Sequence, residues 1–263
     1  MIHCPICKTQ LTQIDHSYKC HNNHTFDQSK SGYTNLFISN SKRIHGDNDE
    51  MIYARHRFLN EGHYAFLLNQ ISELFDKHPI STCVDLGCGE GYYTNHLANV
   101  YPYIQFIGFD LSKTALKIAS KHSIVKYFCA SIADTPIDDH SVDCVLCIFA
   151  PFKIEEVLRI LKPNGIFIVV NPLPYHLFEL KQALYETVKL NPEFNLEHPK
   201  LIRISNVEIK EEIQLNLTQS IHDLLDMTPY RYKAKESNIQ SFYKLNYLKT
   251  QCSFRCDVYK CTQ

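Results

Sequence analysis

From residue 80 onward, short apolar runs alternate with segments of helical spacing. Cys83–Leu86, Ile104–Phe109, Val125–Cys129, Asp143–Phe149 and Ile166–Val170 read as strands. Such runs are apolar throughout rather than at every second residue, as expected for a parallel sheet covered on both faces. Helices are predicted from Thr94 to Asn99 and from Lys113 to Lys121, and Ile154, Val157, Leu158 and Leu161 mark one apolar helix face. Lys162-Pro163-Asn164-Gly165 reads as a turn. The tail adds a helix over 176–188, a strand near 207–215, a helix over 219–226 and a strand over 252–260. Upstream, Leu67, Leu68, Ile71, Leu74 and Phe75 recur at helix spacing, so residues 51–79 look helical up to the stop at Pro79. Residues 37–50 are polar and read as a linker, and residues 1–36 are rich in Cys, His and Asn. The pattern predicts an α/β fold with a doubly wound, mostly parallel sheet over 80–263. A small module at 1–36 and a linker plus leading helix at 37–79 precede it.

Composition narrows the function classes. Apolar residues make up 44% of 263, enough for a sizeable core. The net charge of −1 carries no global basic signature, so nucleic-acid binding has to come from local patches. No run approaches the ~18 apolar residues of a membrane span. The N-terminus lacks the basic-then-apolar pattern of a signal peptide, which makes a cytoplasmic location the expectation. The eleven cysteines, an odd number, then argue against a disulfide framework.

Three of those cysteines have metal-ligand spacing. Cys4-x-x-Cys7 and Cys20-x-x-x-His24 are two short pairs about a dozen residues apart, a Cys₃His set suited to one structural zinc. His21 could replace His24 as the fourth ligand. Three intervening residues let the chain turn back to the metal and favour His24. A redox dithiol would need a strand–helix scaffold that residues 1–3 do not offer. His3 and His16 read as solvated loop residues. Cys83, Cys88, Cys129, Cys144 and Cys147 read as core packing.

The second constellation is Val84-Asp85-Leu86-Gly87-Cys88-Gly89-Glu90-Gly91, at the end of a strand and the start of a helix. Three of the eight glycines fall in five positions, where they permit a tight turn and close approach to a ligand. The next strand ends in Asp110, whose carboxylate can accept from both hydroxyls of a ribose. The alternative is a tight turn without a ligand. The G-x-G-x-G spacing resembles the first motif of Rossmann-like class I methyltransferases, and that resemblance implies S-adenosylmethionine. Many such enzymes place an acid five residues before the proline of Pro136-Ile137-Asp138-Asp139. Here Ser131 stands there, followed by Ile132, so the adenine contact is expected from backbone and hydroxyl.

Taken together, the chain resembles the bacterial guanine-N1-methyltransferases that modify a hairpin of 23S ribosomal RNA. The resemblance rests on the zinc motif, on Phe26-Asp27 through Gly32-Tyr33-Thr34-Asn35-Leu36, on Ala54–Tyr64, on Pro174–Lys181 and on Met227-Thr228-Pro229-Tyr230. It implies that Tyr64, Asp85, Gly87, the Gly89-Glu90-Gly91-Tyr92 loop and His176 line the cofactor pocket. It also implies an RNA-contacting zinc module and a homodimer. Tyr64 as a core aromatic and His176 as a helix-start residue stay open. Lys42-Arg43, Arg55 with Arg57, and Arg231 with Lys233 are the candidate RNA-binding cations, with an ordinary solvated face as the alternative. The acceptor of the guanine N1 proton is not identified, and His63, Glu90 and His176 are weak candidates. Ala150–Phe152 is placed to shape a base pocket. A small-molecule methyltransferase and a non-enzymatic zinc-bearing RNA-binding protein are the rival readings.

Overall fold

A computed structural model describes residues 1–38 and 47–262. At the N-terminus, β1 (Leu11–Ile14), β2 (Ser17–Cys20) and β3 (Thr25–Asp27) form a small antiparallel sheet. β4 (Thr34–Asn35) leaves it and pairs in parallel with a strand of the main sheet, Lys126–Cys129. Ile2 forms a further bridge to Ile137.

α1 (Asp49–Asn60) is capped by Asn48, whose side chain accepts the Met51 N–H at 2.9 Å. α2 (Ala65–Asp76) follows. The single helical segment predicted over 51–79 is thus two helices. The break falls at Gly62, whose φ of +83° is a conformation glycine adopts without a side-chain penalty. Both helices turn apolar faces inward, Ile52, Phe58 and Leu59 from α1 and Leu67, Ile71 and Leu74 from α2.

The remaining elements are β5 (Thr82–Leu86), α3 (Tyr92–Val100), β6 (Gln105–Asp110), α4 (Lys113–Ala119), β7 (Lys126–Cys129), β8 (Val142–Ile148), α5 (Ile154–Ile160) and β9 (Leu161–Pro172). After them come α6 (Phe178–Leu184), β10 (Leu201–Leu215), α7 (Thr218–Asp226), α8 (Glu236–Phe242) and β11 (Leu248–Cys261). The sheet order is β10-β11-β9-β8-β5-β6-β7-β4. β11 is antiparallel to both neighbours, and the pairings from β9 across to β4 are parallel. Succession runs outward from β5 through β6 to β7, then restarts on the other side at β8. The carboxyl ends of β5 and β8 therefore flank the switch point where α/β sheets bind ligands.

Alternate residues of one strand enter different cores. Cys83, Leu146 and Ile168 face one apolar layer, and Val84, Val145 and Phe167 face the other. This two-sided burial is why the strands read as continuous apolar runs. The predicted turn at 162–165 lies inside β9 as a register shift, with Asn164 at φ +64°. α8 and the first six residues of β10 have no counterpart in the apolar pattern, because much of their surface is exposed.

α1 and α7 are joined by a buried charge. Arg57 donates from Nε and its terminal nitrogen to the two oxygens of Asp223 at 2.9 and 2.6 Å. Asp223 is fully buried, whereas the Arg57 side chain is 48% exposed. Arg57→Ala is expected to lower stability by about 2 kcal/mol. That is less than the ~3–5 kcal/mol of a fully buried pair, because water reaches the guanidinium. A shift in the denaturant midpoint measures it.

Candidate active site and metal centre

The loop after β5 is held by exclusion. Gly87, Gly89 and Gly91 all have positive φ, at +80°, +55° and +78°. A Cβ at Gly87 would lie 2.4 Å from the Ala150 side chain, and one at Gly91 would lie 2.7 Å from the Tyr127 hydroxyl. At Gly89 the nearest atom is an Arg55 nitrogen at 4.0 Å, so the backbone there is open to a ligand.

Asp110 closes the loop from β6. One carboxylate oxygen accepts the Gly89 N–H at 3.0 Å and the other the Ser112 N–H at 2.7 Å. Each oxygen keeps a lone pair for a ribose hydroxyl. Asp85 lies beneath, with Oδ2 accepting the Thr94 hydroxyl at 2.5 Å. Its Oδ1 is buried without a partner, and burial pushes its carboxyl up to about 7. Glu90 is also buried, and desolvation raises its carboxyl against the pull of Arg55 at 4.0 Å. Arg55 further binds Asp47 and reaches the Met227 carbonyl at 3.4 Å. The structure therefore sets Arg55 over the glycine loop, beside Glu90 and Asp110.

Tyr64 and His176 meet beyond the end of β8. Their rings lie 5.1 and 4.6 Å from that of Phe254, and the Tyr64 hydroxyl is buried and unpartnered. His176 Nδ1 accepts the Ser253 N–H at 3.2 Å, and burial drives its imidazole down to about 3. Tyr92 starts α3 next to the loop. Ser131 Oγ accepts the Ala133 N–H at 3.2 Å, and Ile132 packs partly buried against the core. A cationic sulfonium cofactor fits these residues. There is an open backbone at Gly89, a carboxylate aligned by backbone at Asp110, and a buried orphan oxygen at Asp85. Thr94 is a further contributor, seven residues after Gly87 and the third residue of α3, legible only as a hydroxyl able to reach back to Asp85.

The Cys₃His set is brought together at the other end of the chain. The four ligand atoms of Cys4, Cys7, Cys20 and His24 all lie within 4.8 Å of one another. His24 Nδ1 is 3.5 Å from Cys4 Sγ and 3.4 Å from Cys20 Sγ, and Cys7 Sγ is 3.7 Å from Cys20 Sγ. Zinc bonds of ~2.3 Å to sulfur and ~2.0 Å to nitrogen give tetrahedral edges of roughly 3.5–3.8 Å, so the donors fit the ion. Two tight turns present them, with Lys8 at φ +59° after the first pair and Asn23 at φ +62° within the second. His21 and His16 are exposed. His3, expected to be solvated, is instead buried. Its N–H donates to the Pro136 carbonyl at 2.8 Å and its ring lies 3.4 Å from Asp138, because residues 1–3 dock on the main domain.

Of the candidate RNA-binding cations, Lys42 and Arg43 lie outside the described residues. Arg57 is bound to Asp223, and Arg231 lies 3.7 Å from both Asp226 and Glu236. Lys233 is exposed.

Residues 84–169 match the methyltransferase-domain family, and residues 2–44 match the zinc-ribbon family described as RlmA, N-terminal. A 23S rRNA (guanine(748)-N(1))-methyltransferase of Streptomyces fradiae is 32% identical over 70% of this chain and 67% of its own length. YxjB of Bacillus subtilis, named among the 23S rRNA (guanine-N(1)-)-methyltransferases, is 33% identical over 91% of this chain and 89% of its own. A malonyl-[acyl-carrier protein] O-methyltransferase of Hahella chejuensis is 30% identical over only 38% of this chain. Fold, glycine loop and Asp110 define a class I S-adenosylmethionine-dependent methyltransferase carrying a structural zinc ribbon. Within that class, the chain belongs to the 23S rRNA (guanine-N1-)-methyltransferase family.

Two outcomes follow from this geometry. The cofactor is a cation, so it binds better when Asp85 is ionised. With that carboxyl at about 7, affinity measured by calorimetry is expected to fall as the pH drops below 7, by at most about tenfold per pH unit. Asp85→Asn should flatten the dependence and weaken binding at pH 8. For the metal, elemental analysis is expected to give about one zinc per chain, lost in Cys7→Ser together with amide protection in residues 1–36.

Proposed function

We propose that this chain methylates N1 of a guanine in a hairpin of 23S ribosomal RNA. The observation that carries the reading is the joint match of ribbon and cofactor domain. The YxjB alignment spans 91% of the chain, whereas the acyl-carrier-protein enzyme aligns over 38% of it. An RNA hairpin offers loop bases that can be splayed out and read one at a time.

When bound, S-adenosylmethionine supplies an electrophilic methyl group. The protein's contribution is positioning, which is worth several kcal/mol in an in-line transfer. Asp110 would hold the ribose, the open backbone at Gly89 would admit the cofactor, and Asp85 would supply negative charge to a cationic ligand. Tyr64, Phe254 and His176 pack as one buried aromatic cluster. His176 is neutral at physiological pH, and its Nδ1 is occupied by the Ser253 N–H, so it contributes shape rather than basicity. The division into module, linker with leading helices and methyltransferase domain, a homodimeric state and a cytoplasmic location all belong to this reading. No helix among the described residues is long and apolar enough to cross a membrane.

The test is direct. Purified protein, S-adenosylmethionine and a 23S hairpin transcript are expected to yield 1-methylguanosine by nucleoside mass spectrometry. An unmodified transcript, with the cofactor bound and zinc present, would sink the assignment.

A further inference from the structure

A second cavity lies along the carboxyl edge of the sheet, away from the glycine loop. Its volume is about 470 Å³, within the range of small-molecule sites. Its floor is one face of three strands. Arg255 of β11 pairs with both Asn171 of β9 and Glu208 of β10, and Ser253 pairs with Lys210, so these five side chains share that face. Leu173–Tyr175 and Glu193-Phe194 form the walls.

The walls are built rather than incidental. Asn191 donates its backbone N–H to the Pro174 carbonyl and its amide to the Leu173 carbonyl, both at 3.0 Å. Its amide oxygen accepts from Lys181 Nζ at 2.9 Å and from the Tyr230 hydroxyl at 3.1 Å. Lys181 is buried, with its ammonium 5.2 Å from the Tyr230 ring centroid. A buried lysine is costly, and here its role is to fix the segment that closes the cavity.

Packed side chains link the cavity wall to the cofactor loop. Phe194 lies 6.2 Å from Phe152, and Ala150, two residues before Phe152, is the side chain packed against Gly87. Phe149 starts this stretch at φ +56°, a strained value for an aromatic residue.

Two polar groups on the floor have no partner. Ser253 is 1% exposed and its hydroxyl is unsatisfied, and the amide nitrogen of Asn171 is buried and unsatisfied as well. Such groups are expensive to leave unmade. The cations, by contrast, are already neutralised. Lys210 lies 2.9 Å from Glu208, and Arg255 binds Asp257 at 2.9 Å and the Phe194 carbonyl. A phosphate gains little here, whereas a flat, uncharged, hydrogen-bonding ring satisfies both orphans.

We propose that this cavity receives the acceptor nucleobase, with the Asn171 amide donating to a ring carbonyl oxygen and the Ser253 hydroxyl bonding a neighbouring edge atom. The exposed Tyr175 ring at the rim is placed to stack on the base or its neighbour. This inference rests on the RNA reading above.

The test compares wild type with the Ser253→Ala/Asn171→Ala double variant and with each single variant. Wild type first maps the modified guanine in the 23S hairpin transcript. The double variant is expected to lose about tenfold to a hundredfold in kcat/KM for RNA, with cofactor affinity by calorimetry unchanged. A hairpin carrying thienoguanine, a fluorescent guanine analogue that keeps the ring carbonyl and the N1 proton, at the mapped position supplies a second readout. Its fluorescence should change on binding wild type and stay flat with the double variant, while hairpin affinity remains within about threefold because phosphate contacts persist. Unchanged kcat/KM and an unchanged fluorescence response would overturn the inference, as would a parallel loss of cofactor affinity, which would mark the two residues as merely structural. If wild type itself leaves the transcript unmethylated, the RNA reading fails and this inference falls with it. That result differs from a wild type that is active beside an equally active variant.

Discussion

A methyl group at residue 87 would lie 2.4 Å from the Ala150 side chain, and one at residue 108 would lie 2.5 Å from the Tyr127 ring. The glycine loop is thus clamped between the end of β8 and the side chain of a β7 residue, with Gly91 pressed under the Tyr127 hydroxyl. Close packing leaves the loop one conformation, and that conformation turns the Gly89 N–H onto Asp110. α3 then starts where Thr94 can reach Asp85. The cofactor site is in this sense a by-product of side-chain exclusion. Residues that never touch a ligand, Ala150 and Tyr127 above all, decide where the backbone can accept one.

The same strand carries the zinc ribbon. β4 extends the sheet beside β7, pairing Thr34 with Phe128 and Asn35 with Cys129, and the Tyr18 ring meets Phe128 edge-on at 5.2 Å. The N-terminal ammonium binds Asp138 at 2.7 Å. A module of this size has little core of its own, so the metal and the docking surface share the task of folding it. In return, β4 covers part of an edge that would otherwise present unpaired backbone groups.

Much of this was legible in the residues because each signal had one physical meaning. Short continuous apolar runs bounded by turn signals fit strands buried on two faces, and β5, β6, β8 and β9 fall where those runs do. The pairs Cys4/Cys7 and Cys20/His24 converge because short spacing forces a turn around a common point. Signals with two meanings were harder to read. Arg55 and Arg57 read as one basic patch, yet on a helix neighbours two apart point in different directions. One therefore lies over the glycine loop and the other against α7. Asn171 and Ser253 carried no signal at all. A polar residue near a strand end is ordinary, and only the three-strand register shows that their unpartnered atoms face the same cavity.

The distribution of charge bears on how such a protein could hold RNA. Arg231, Lys235, Lys210 and Lys249 each sit within 4 Å of a carboxylate that is itself partly or wholly exposed. Exposed pairs of this kind are worth little and are screened by salt, so a phosphate can displace the carboxylate at low cost. Each displacement releases fewer counterions than a free cation would, which makes the electrostatic grip shallow in its salt dependence. Discrimination must then come from shape and from neutral hydrogen bonds. The cavity at the carboxyl edge of the sheet, with its cations already paired and two polar groups left without partners, has the chemistry that requirement calls for.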